Sequence, residues 1–327
     1  MSRMKTLGHS GIEVSALGIG CWAIGGPFWA GEQPLGWGRV DDEESIRALR
    51  RALELGVTFF DTADVYGTGH SERIVGRAFA GRRDEVVIAT KWGNVFDEST
   101  RQLTGTDASP AYLRTAVEGS LRRLGTDHID LYQLHLNDLP IAQARELLPV
   151  LESLVDAGKI RAYGWSTDFA DRATVYAQAG AVAIQHAMSV LQDSPEVLAV
   201  VDKYDLASIN RGPLAMGLLT GKFTAASTLG PDDVRGIAPD WLSFFRDGKP
   251  SPEWLDRVAA VREALTADGR TLAQGALGWL WARNGHTIPI PGCRTVAQVE
   301  ENAGALSRGP LPPDAYAEVE RLIREFV

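Results

Sequence analysis

The chain has 327 residues, a formal net charge of −9, and 45% hydrophobic and 23% charged residues, as is usual for a globular protein. The negative charge and the lack of a dense basic patch argue against nucleic-acid or anionic membrane partners, and no apolar run approaches the ~20 residues of a membrane-spanning helix. Only two cysteines occur, without metal-like spacing, and the N-terminus lacks a signal-peptide core, so we expect a cytoplasmic protein with reduced thiols.

Strand-like and helix-like segments alternate along the chain, after a turn-rich N-terminal stretch. Asp41 can cap the first helix, and Glu44 has the spacing of a capping box. Further helices are predicted over residues 111–124, 141–157 and 272–282. The eight predicted strands are Leu17–Trp22, Val57–Phe60, Val86–Thr90, Ile129–Leu134, Arg161–Trp165, Ala181–Ile184, Leu206–Ile209 and Thr287–Ile290.

This alternation predicts an α/β fold in which parallel strands are joined by right-handed helical crossovers. Eight such units in 327 residues favour a closed (β/α)8 TIM barrel over an open doubly wound sheet. We expect one domain over residues 1–327, because no linker-like or low-complexity stretch divides the chain. Two long segments that contain aromatic residues, 25–40 and 223–251, follow the first and seventh strands and should overhang the mouth of the barrel.

Polar side chains stand where three of the predicted strands end. Asp61, Lys91 and His135 each follow an apolar run, and Tyr66 lies one loop after Asp61. In a barrel of parallel strands, the residues at successive strand ends converge on one mouth. We therefore expect these four side chains to share one pocket.

A pocket with this set of residue types suits proton delivery to a carbonyl group. A free phenol titrates near ~10, which is too high for an efficient acid at neutral pH. A nearby ammonium stabilises the phenolate and lowers that pKa. We expect Lys91 to lower the pKa of Tyr66 in this way, while Asp61 holds Lys91 in place.

Two other chemistries use the same residue types. Lys91 could be the Schiff-base lysine of an aldolase, a chemistry common on this architecture. A metal site would need companions for His135, for which His186 and Asp61 are available. No His-x-His pair ends a strand, so we expect no metal.

Two segments suggest nucleotide or phosphate binding. Gly18–Ala23 fits the G-x-G-x-x-A fingerprint superficially, but a Gly-Gly-Pro turn follows where a helix is required, and we reject a Rossmann site. Phosphate binding is better placed at Gly292–Thr295, where a strand ends and a helix begins. There the backbone N–H groups would hold an anion, with Arg294 adding a fork of donors.

With these motifs in place, the chain resembles the aldo-keto reductases over nearly its whole length. The motifs that carry the resemblance are highly specific when taken together. They are Gly56–Gly67 (GVTFFDTADVYG), Ala89–Lys91 (ATK), Ile129–His135 (IDLYQLH), Gly164–Thr167 (GWST), Gly212–Lys222 (GPLAMGLLTGK) and Ile290–Asn302 (IPG to EN).

The resemblance implies a (β/α)8 barrel that binds NADP(H) without a Rossmann fold. It implies that hydride passes from the cofactor to a carbonyl carbon while the protein supplies orientation and the proton. By the same likeness Tyr66 is the general acid, Lys91 tunes it, and Asp61 is the partner of Lys91. His135 orients the carbonyl and, with Tyr66, stabilises the developing alkoxide.

The resemblance also assigns contacts with the cofactor. Three positions differ from the common family pattern: Thr167 replaces an asparagine, Arg211 replaces the aromatic ring that stacks on the nicotinamide, and Gly292 replaces a basic residue at the 2′-phosphate. That last change leaves Arg294 as the expected phosphate ligand. The implied contacts are Cys21, Trp22, Asp61, Ser166, Thr167, Gln185, Arg211, Gly212, Pro213, Leu214, Gly217, Leu219, Lys222, Gly292, Arg294, Gln298, Glu301 and Asn302.

We therefore predict an NADPH-dependent reductase of a small aldehyde or ketone, either sugar-like or aromatic, bound under Trp29, Trp37 and Trp92. One alternative is a non-catalytic NADP(H)-binding sensor, because this fold also serves as a regulatory subunit of membrane channels. The other alternative is an aldolase that uses Lys91. The sequence does not indicate an oligomer.

Overall fold

The computed structural model describes residues 3–237, 239 and 241–325. Its central feature is a sheet of eight parallel strands in which each strand pairs with the next along the chain. The predicted eight-stranded barrel is confirmed, with strand ends shifted by at most three residues. The strands are β1 (Gly18–Gly20), β2 (Phe59–Asp61), β3 (Val87–Trp92), β4 (Ile129–Leu134), β5 (Ile160–Ser166), β6 (Ala183–Ala187), β7 (Ala207–Arg211) and β8 (Thr287–Pro289).

The barrel closes between the end of β1 and the segment that follows β8. The Gly20 amide donates to the carbonyl of Pro291 at 3.0 Å, and Gly20 forms a parallel bridge with Gly292. A Cβ atom at Gly20 would lie 2.7 Å from the carbonyl oxygen of Ile290. Glycine is therefore required for the two backbones to approach this closely.

Helices surround the barrel and follow the predicted order. Helix α1 begins at Asp42, where the Asp41 side chain accepts from the Glu44 amide at 2.9 Å. The predicted capping box is wrong in its second half, because the Glu44 carboxylate accepts from the Val296 amide instead. The helices are α1 (Asp42–Glu54), α2 (His70–Ala78), α3 (Pro110–Leu124), α4 (Ile141–Asp156), α5 (Ala170–Gln178), α6 (Pro195–Tyr204), α7 (Val234–Ile237), α8 (Pro252–Leu265), α9 (Leu272–Arg283), α10 (Val296–Arg308) and α11 (Pro313–Arg324). Within the described ranges, none of these helices has the length and apolarity needed to cross a membrane.

Alternation along the strands separates two hydrophobic layers. Inward side chains such as Phe59, Ala89 and Leu131 fill the barrel, together with Leu7 and Val14 from the N-terminal hairpin. The hairpin pairs strand Met4–Thr6 with strand Glu13–Ser15 and covers the N-terminal end of the barrel. Outward side chains pack against the helices in a second, larger cluster.

Two segments, which we call the mouth loops, lie over the other end of the barrel. Residues 25–40 contain the strands Trp29–Ala30 and Gln33–Pro34, which join a sheet with the hairpin Asn94–Asp97 and Gln102–Thr106. Residues 223–251 contain α7 and the hairpin Phe245–Arg246 and Lys249–Pro250. The mouth loops touch each other, since the amide of residue 234 donates to the carbonyl of residue 36 at 2.8 Å. The expectation that both segments overhang the mouth is confirmed.

Candidate active site

The carboxyl ends of β2 and β3 bring three of the predicted residues into direct contact. The Lys91 ammonium donates to Asp61 Oδ1 at 2.5 Å, to the Thr62 carbonyl at 2.8 Å and to the Tyr66 hydroxyl at 3.3 Å. Lysine has three N–H donors, so this side chain is fully satisfied in a wholly buried position. Burial opposes the charged form, but the Asp61 carboxylate and Tyr66 outweigh it and raise the pKa of Lys91.

The second oxygen of Asp61 is also satisfied. Asp61 Oδ2 accepts from the side-chain amide of Gln185 at 2.8 Å and from that of Gln133 at 3.1 Å. Gln185 was expected to hold the cofactor carboxamide, but its amide nitrogen is used here by the carboxylate. Sequence reasoning missed Gln133. This residue lies on β4 two positions before His135, so both side chains point into the barrel.

Tyr66 lies beside Lys91 and is partly buried. Burial raises the pKa of the Tyr66 phenol above its ordinary value, and the Lys91 ammonium offsets only part of that rise. The expected net lowering of this pKa is therefore wrong in direction. Tyr66 carries its proton at neutral pH, as a proton donor must.

His135 completes the group from the end of β4. Its ring meets the Tyr66 ring edge-on, with 5.7 Å between ring centroids. Burial first, and the Lys91 and Arg211 cations second, hold the pKa of His135 well below its usual range. The imidazole is therefore neutral, with one N–H to donate, and its Nδ1 atom has no hydrogen-bond partner among the described residues.

Indole rings cover the phenol from the outer side. Trp22 stacks on Tyr66 with 5.9 Å between centroids and a 23° interplanar angle. Trp37 meets Trp22 edge-on at 5.3 Å, and its own ring carries the Arg235 guanidinium at 4.3 Å. Trp29, the second expected pocket residue, lies partly buried in the mouth-loop sheet.

Trp92 does not belong to this pocket, so that prediction is wrong. Lys91 points into the barrel, and the next residue on a strand points to the opposite face. Trp92 is fully buried in the layer beneath the helices, where it stacks on Tyr132. The alternation around Lys91 was the signal that could have corrected the assignment.

The ends of β5 and β7 contribute an ion pair at the mouth. The Arg211 guanidinium donates to Asp168, whose other oxygen accepts from the Ala187 amide at 2.7 Å. Arg211 Nε is buried without a partner. Ser166 is nearly buried at the end of β5, and the Thr167 hydroxyl donates to the Asn137 carbonyl at 2.7 Å. Sequence reasoning missed Asp168 because an aspartate in a loop carries no distinctive pattern.

Three cations, Lys222, Arg235 and Arg294, lie close together under the second mouth loop, and among the described residues Asp233 is the acid that acts on Lys222. Arg235 forms an ion pair with Asp233, with its NH2 atom 2.6 Å from Asp233 Oδ2. Burial, and then the charge of Arg235, lower the pKa of Lys222, and Arg294 contributes to the same effect. The cluster of Lys222, Arg235 and Arg294 therefore has unbalanced positive charge, which suits a polyanion such as the phosphates of a dinucleotide.

The expected phosphate site at residues 292–295 is engaged by protein groups. Arg294 donates to the carbonyl of Trp37 at 3.0 Å and to the carbonyl of Arg39. At the start of α10, the first amide donates to Glu44 and the third donates to the Thr295 hydroxyl. An anion at this helix end would have to displace the Glu44 carboxylate or the Thr295 hydroxyl from the backbone amides. The site is therefore less open than the sequence predicted.

Some of the other residues expected to contact the cofactor are exposed to solvent, and others are buried. Gly212 has a φ of +64° and open space where a Cβ atom would lie, which leaves room for a ligand. Cys21 and Leu219 are wholly buried, so their side chains cannot line a groove. The expected residues that follow β7 or lie on or just before α10 are Gly212, Pro213, Leu214, Gly217, Leu219, Lys222, Gly292, Arg294, Gln298, Glu301 and Asn302.

These observations fit a dinucleotide with a redox-active ring at one end. The cation cluster suits phosphates, and the Tyr66 and His135 donors lie by the barrel mouth. Within residues 3–237, 239 and 241–325, no group of three or more His, Cys, Asp or Glu side chains is placed to bind a metal ion.

Comparison with known proteins gives one consistent result. A family model described as the Aldo/keto reductase family matches residues 16–324. Aldo-keto reductase YhdN of Bacillus subtilis (strain 168) is 36% identical over 301 residues, covering 90% of this chain and 86% of the relative. The glycerol dehydrogenase AKR11B4 from Gluconobacter oxydans superimposes with a TM-score of 0.82 at 29% identity, covering 99% of this chain and 96% of that chain. An aldo-keto reductase from Klebsiella pneumoniae, solved in complex with NADPH, gives a TM-score of 0.70 at 26% identity with the same coverage.

Proposed function

The chain belongs to the aldo/keto reductase family, an oxidoreductase class, and we propose that it reduces an aldehyde or ketone to the alcohol with NADPH. The observation that carries the proposal is the hydrogen bond from the buried Lys91 ammonium, which is paired with Asp61, to the hydroxyl of the partly buried Tyr66. A proton-bearing phenol held by an ammonium is the arrangement that a carbonyl reductase needs at the carbonyl oxygen.

Bound NADPH supplies the hydride that adds to the carbonyl carbon. Tyr66 donates its proton to the carbonyl oxygen as negative charge develops there. Lys91 then faces a phenolate and stabilises it, because the ammonium is already fixed at 3.3 Å from the phenol oxygen. Asp61 keeps Lys91 charged and in position.

His135 has a different task from Tyr66. Because burial and the neighbouring cations keep its imidazole neutral, it donates one hydrogen bond to the carbonyl oxygen without adding a second positive charge. That bond orients the substrate and stabilises the alkoxide.

The residues present would hold the cofactor along the mouth of the barrel. The cluster of Lys222, Arg235 and Arg294 would bind its phosphates, and the space beside Gly212 would admit the pyrophosphate. Arg211, fixed by Asp168, would lie against the nicotinamide ring. The NADPH complex of the Klebsiella pneumoniae relative supports this choice of cofactor.

The decisive test is the Tyr66→Phe variant. We expect it to bind NADPH with the wild-type Kd and to lose at least about 100-fold in kcat for aldehyde reduction, since general acid catalysis contributes about 10²–10⁴-fold. Fluorescence titration of the tryptophans gives the Kd, and aldehyde-dependent loss of NADPH absorbance gives kcat. An unchanged kcat would rule out Tyr66 as the acid.

The same assays distinguish the alternatives. A non-catalytic sensor would bind NADPH without steady aldehyde-dependent turnover. An aldolase would form an adduct on Lys91 that borohydride traps. The geometry speaks against the aldolase, because a lysine with three acceptors and a raised pKa lacks the free amine that attacks a carbonyl.

A further inference from the structure

In the described part of the second mouth loop two large hydrophobic side chains are exposed, and Trp241 is the more exposed of them. Leu242, Phe244 and Phe245 are buried to 8% exposure or less, yet Trp241 between them and residue 239 is 60% exposed. Among the described residues, Trp241 and Ile237 of this loop are two of the four large hydrophobic side chains that are exposed. The buried neighbours fix the backbone, so Trp241 is held outward by the fold of its own loop.

Trp241 is not isolated, because it touches the aromatic group that covers the catalytic phenol. Its ring lies 6.3 Å from the Trp22 ring, with a 39° interplanar angle. Trp22 in turn stacks on Tyr66. The two indoles therefore form one apolar surface that runs from solvent to the expected position of the carbonyl.

The loop is anchored so that this surface persists. Arg235 bonds both oxygens of Asp233 and lies over the Trp37 ring, and it also donates to the Met216 carbonyl at 3.1 Å. Trp37 touches Trp22. The loop that carries Trp241 is thus linked to the first mouth loop through Arg235 and Trp37.

Only some of the polar groups near this surface are already used. The Trp22 indole N–H donates to the Leu35 carbonyl at 3.0 Å. Arg211 and Asp168, the charged pair at the mouth, are paired with each other, whereas Arg211 Nε and the Trp37 indole N–H have no partner among the described residues. The exposed face of Trp241 is apolar, so a flat apolar substituent would cover it without burying a polar group of its own.

We propose that Trp241 is a specificity-determining residue that contacts the substrate, and that it selects carbonyl compounds in which the carbonyl is attached to an aromatic or other flat apolar group. The proposal rests on the proposed reductase function. The carbonyl lies at Tyr66 and His135, and its substituent lies along Trp22 and Trp241. Removal of the outer indole should weaken the binding of that substituent and leave the chemical step unchanged.

The test compares benzaldehyde with propanal in wild-type, Trp241→Ala and Trp241→Phe proteins. We expect Trp241→Ala to lower kcat/KM for benzaldehyde about 5- to 10-fold through KM, as is typical for loss of an aromatic contact, with kcat retained. Propanal, which is too small to reach Trp241, should change less than about 2-fold. Trp241→Phe should retain most of the wild-type kcat/KM for benzaldehyde, because a phenyl ring keeps an apolar face.

A binding measurement separates contact from catalysis. Calorimetric titration with benzamide, which the enzyme cannot reduce, should show a Kd raised by a similar factor in Trp241→Ala. Phe169→Ala is the matched control, since Phe169 is also an exposed aromatic residue and lies over Arg172. That variant should leave both kcat/KM values and the benzamide Kd unchanged.

The possible failures are distinguishable. If wild-type protein consumes NADPH with neither aldehyde nor any other carbonyl compound, the reductase proposal fails and this inference fails with it. If wild type is active and Trp241→Ala changes benzaldehyde and propanal by equal factors, or changes neither, the role of Trp241 is refuted and the reductase stands.

Discussion

Two buried acidic clusters lie at the end of β2 and in the loop that follows it, and they differ in how their negative charge is balanced by cations. The first contains Asp61, which faces into the barrel and pairs with Lys91. The second contains Asp64, which lies toward α2 and α3 with Glu72 and Arg123. We call them the inner and the outer cluster. The two aspartates are three residues apart, yet their surroundings differ in the number of cations and donors that they offer.

The outer cluster has two acids and one strong cation. Glu72 is wholly buried and accepts from Thr90 and from Arg123, both at 2.6 Å. Asp64 Oδ1 is buried without a partner. Burial first, and the charge of Glu72 second, raise the pKa of Asp64 well above its usual range.

The comparison shows that position in the chain does not decide the ionisation of a buried acid. Asp61 has one cation and two amide donors, which together engage both of its oxygens. Asp64 lies near Arg123, but that cation is hydrogen-bonded to Glu72, so burial favours the protonated form of Asp64. Four variants test this difference, in order of decreasing effect on activity.

Lys91→Met removes the cation of the inner cluster. We expect kcat to fall more than about 100-fold, because the proton donor loses the group that stabilises its phenolate. The free energy of unfolding should fall by about 3–5 kcal/mol, since Asp61 is left buried and unpaired. Aldehyde-dependent NADPH oxidation and urea unfolding measure the two effects. The double variant Lys91→Met/Asp61→Asn should regain stability without activity. Wild-type stability in the single variant would contradict the interpretation that Lys91 and Asp61 stabilise each other as a buried ion pair.

Gln133→Leu tests the amide support of Asp61. Loss of a hydrogen bond to a charged group costs about 1.5–3 kcal/mol, so we expect lower stability and a roughly 10-fold lower kcat as Lys91 loses its fixed partner. KM should change little, because Gln133 lies beneath the pocket. Steady-state kinetics and urea unfolding provide the data, and a change confined to KM would argue for a direct substrate contact instead.

Arg123→Met removes the cation of the outer cluster. The free energy of unfolding should fall by about 3–5 kcal/mol at pH 7, because Glu72 loses its partner. Activity per folded molecule should stay within about 3-fold, since transition-state contacts are untouched. The exposed neighbour Arg122→Met is the control, and a loss of activity in folded Arg123→Met protein would mean that the outer cluster takes part in catalysis.

Asp64→Asn should have the smallest effect on activity, because the native carboxyl is already neutral. The pKa of Asp64 is raised in the folded state. The folded protein therefore keeps a proton that the unfolded chain releases once the pH exceeds the ordinary aspartate pKa of ~3.9. This aspartate therefore makes wild-type stability fall as the pH rises above that value. Urea unfolding between pH 5 and 8 should show a weaker decline in the variant. An identical decline in both proteins would show that Asp64 is ionised in the folded state.

The sequence predicted the barrel and the grouping of Asp61, Tyr66, Lys91 and His135 at its mouth, because both depend on local patterns. Apolar runs bounded by turns locate the strands, and parallel strands bring Asp61, Lys91 and His135 to one end. Trp92 was misplaced even though alternation from Lys91 determines its direction. That error came from reading a residue type without its strand position.

Other features depend on contacts between distant segments, which local patterns do not contain. Glu44 has a capping-box spacing, yet it binds the Val296 amide from another helix. Arg294 follows a strand as a phosphate ligand should, yet it bonds the carbonyls of Trp37 and Arg39. The rise in the Tyr66 pKa also depends on burial by remote segments, including the aromatic cover that Trp22 provides.

The backbone contact between Gly20 and Pro291 closes the barrel, and we call it the seam. It has a consequence for synthesis on the ribosome. The strands that meet there come from opposite ends of the chain, so the barrel stays open until the last strand has emerged. Arg294 reaches the first mouth loop only after the same delay. A nascent chain therefore has Tyr66 and Lys91 long before it has a closed mouth, and a chain truncated before residue 287 lacks β8, the seam and the Arg294 contact. Such a fragment would leave the edges of β1 and β7 unpaired, where another chain could add a strand.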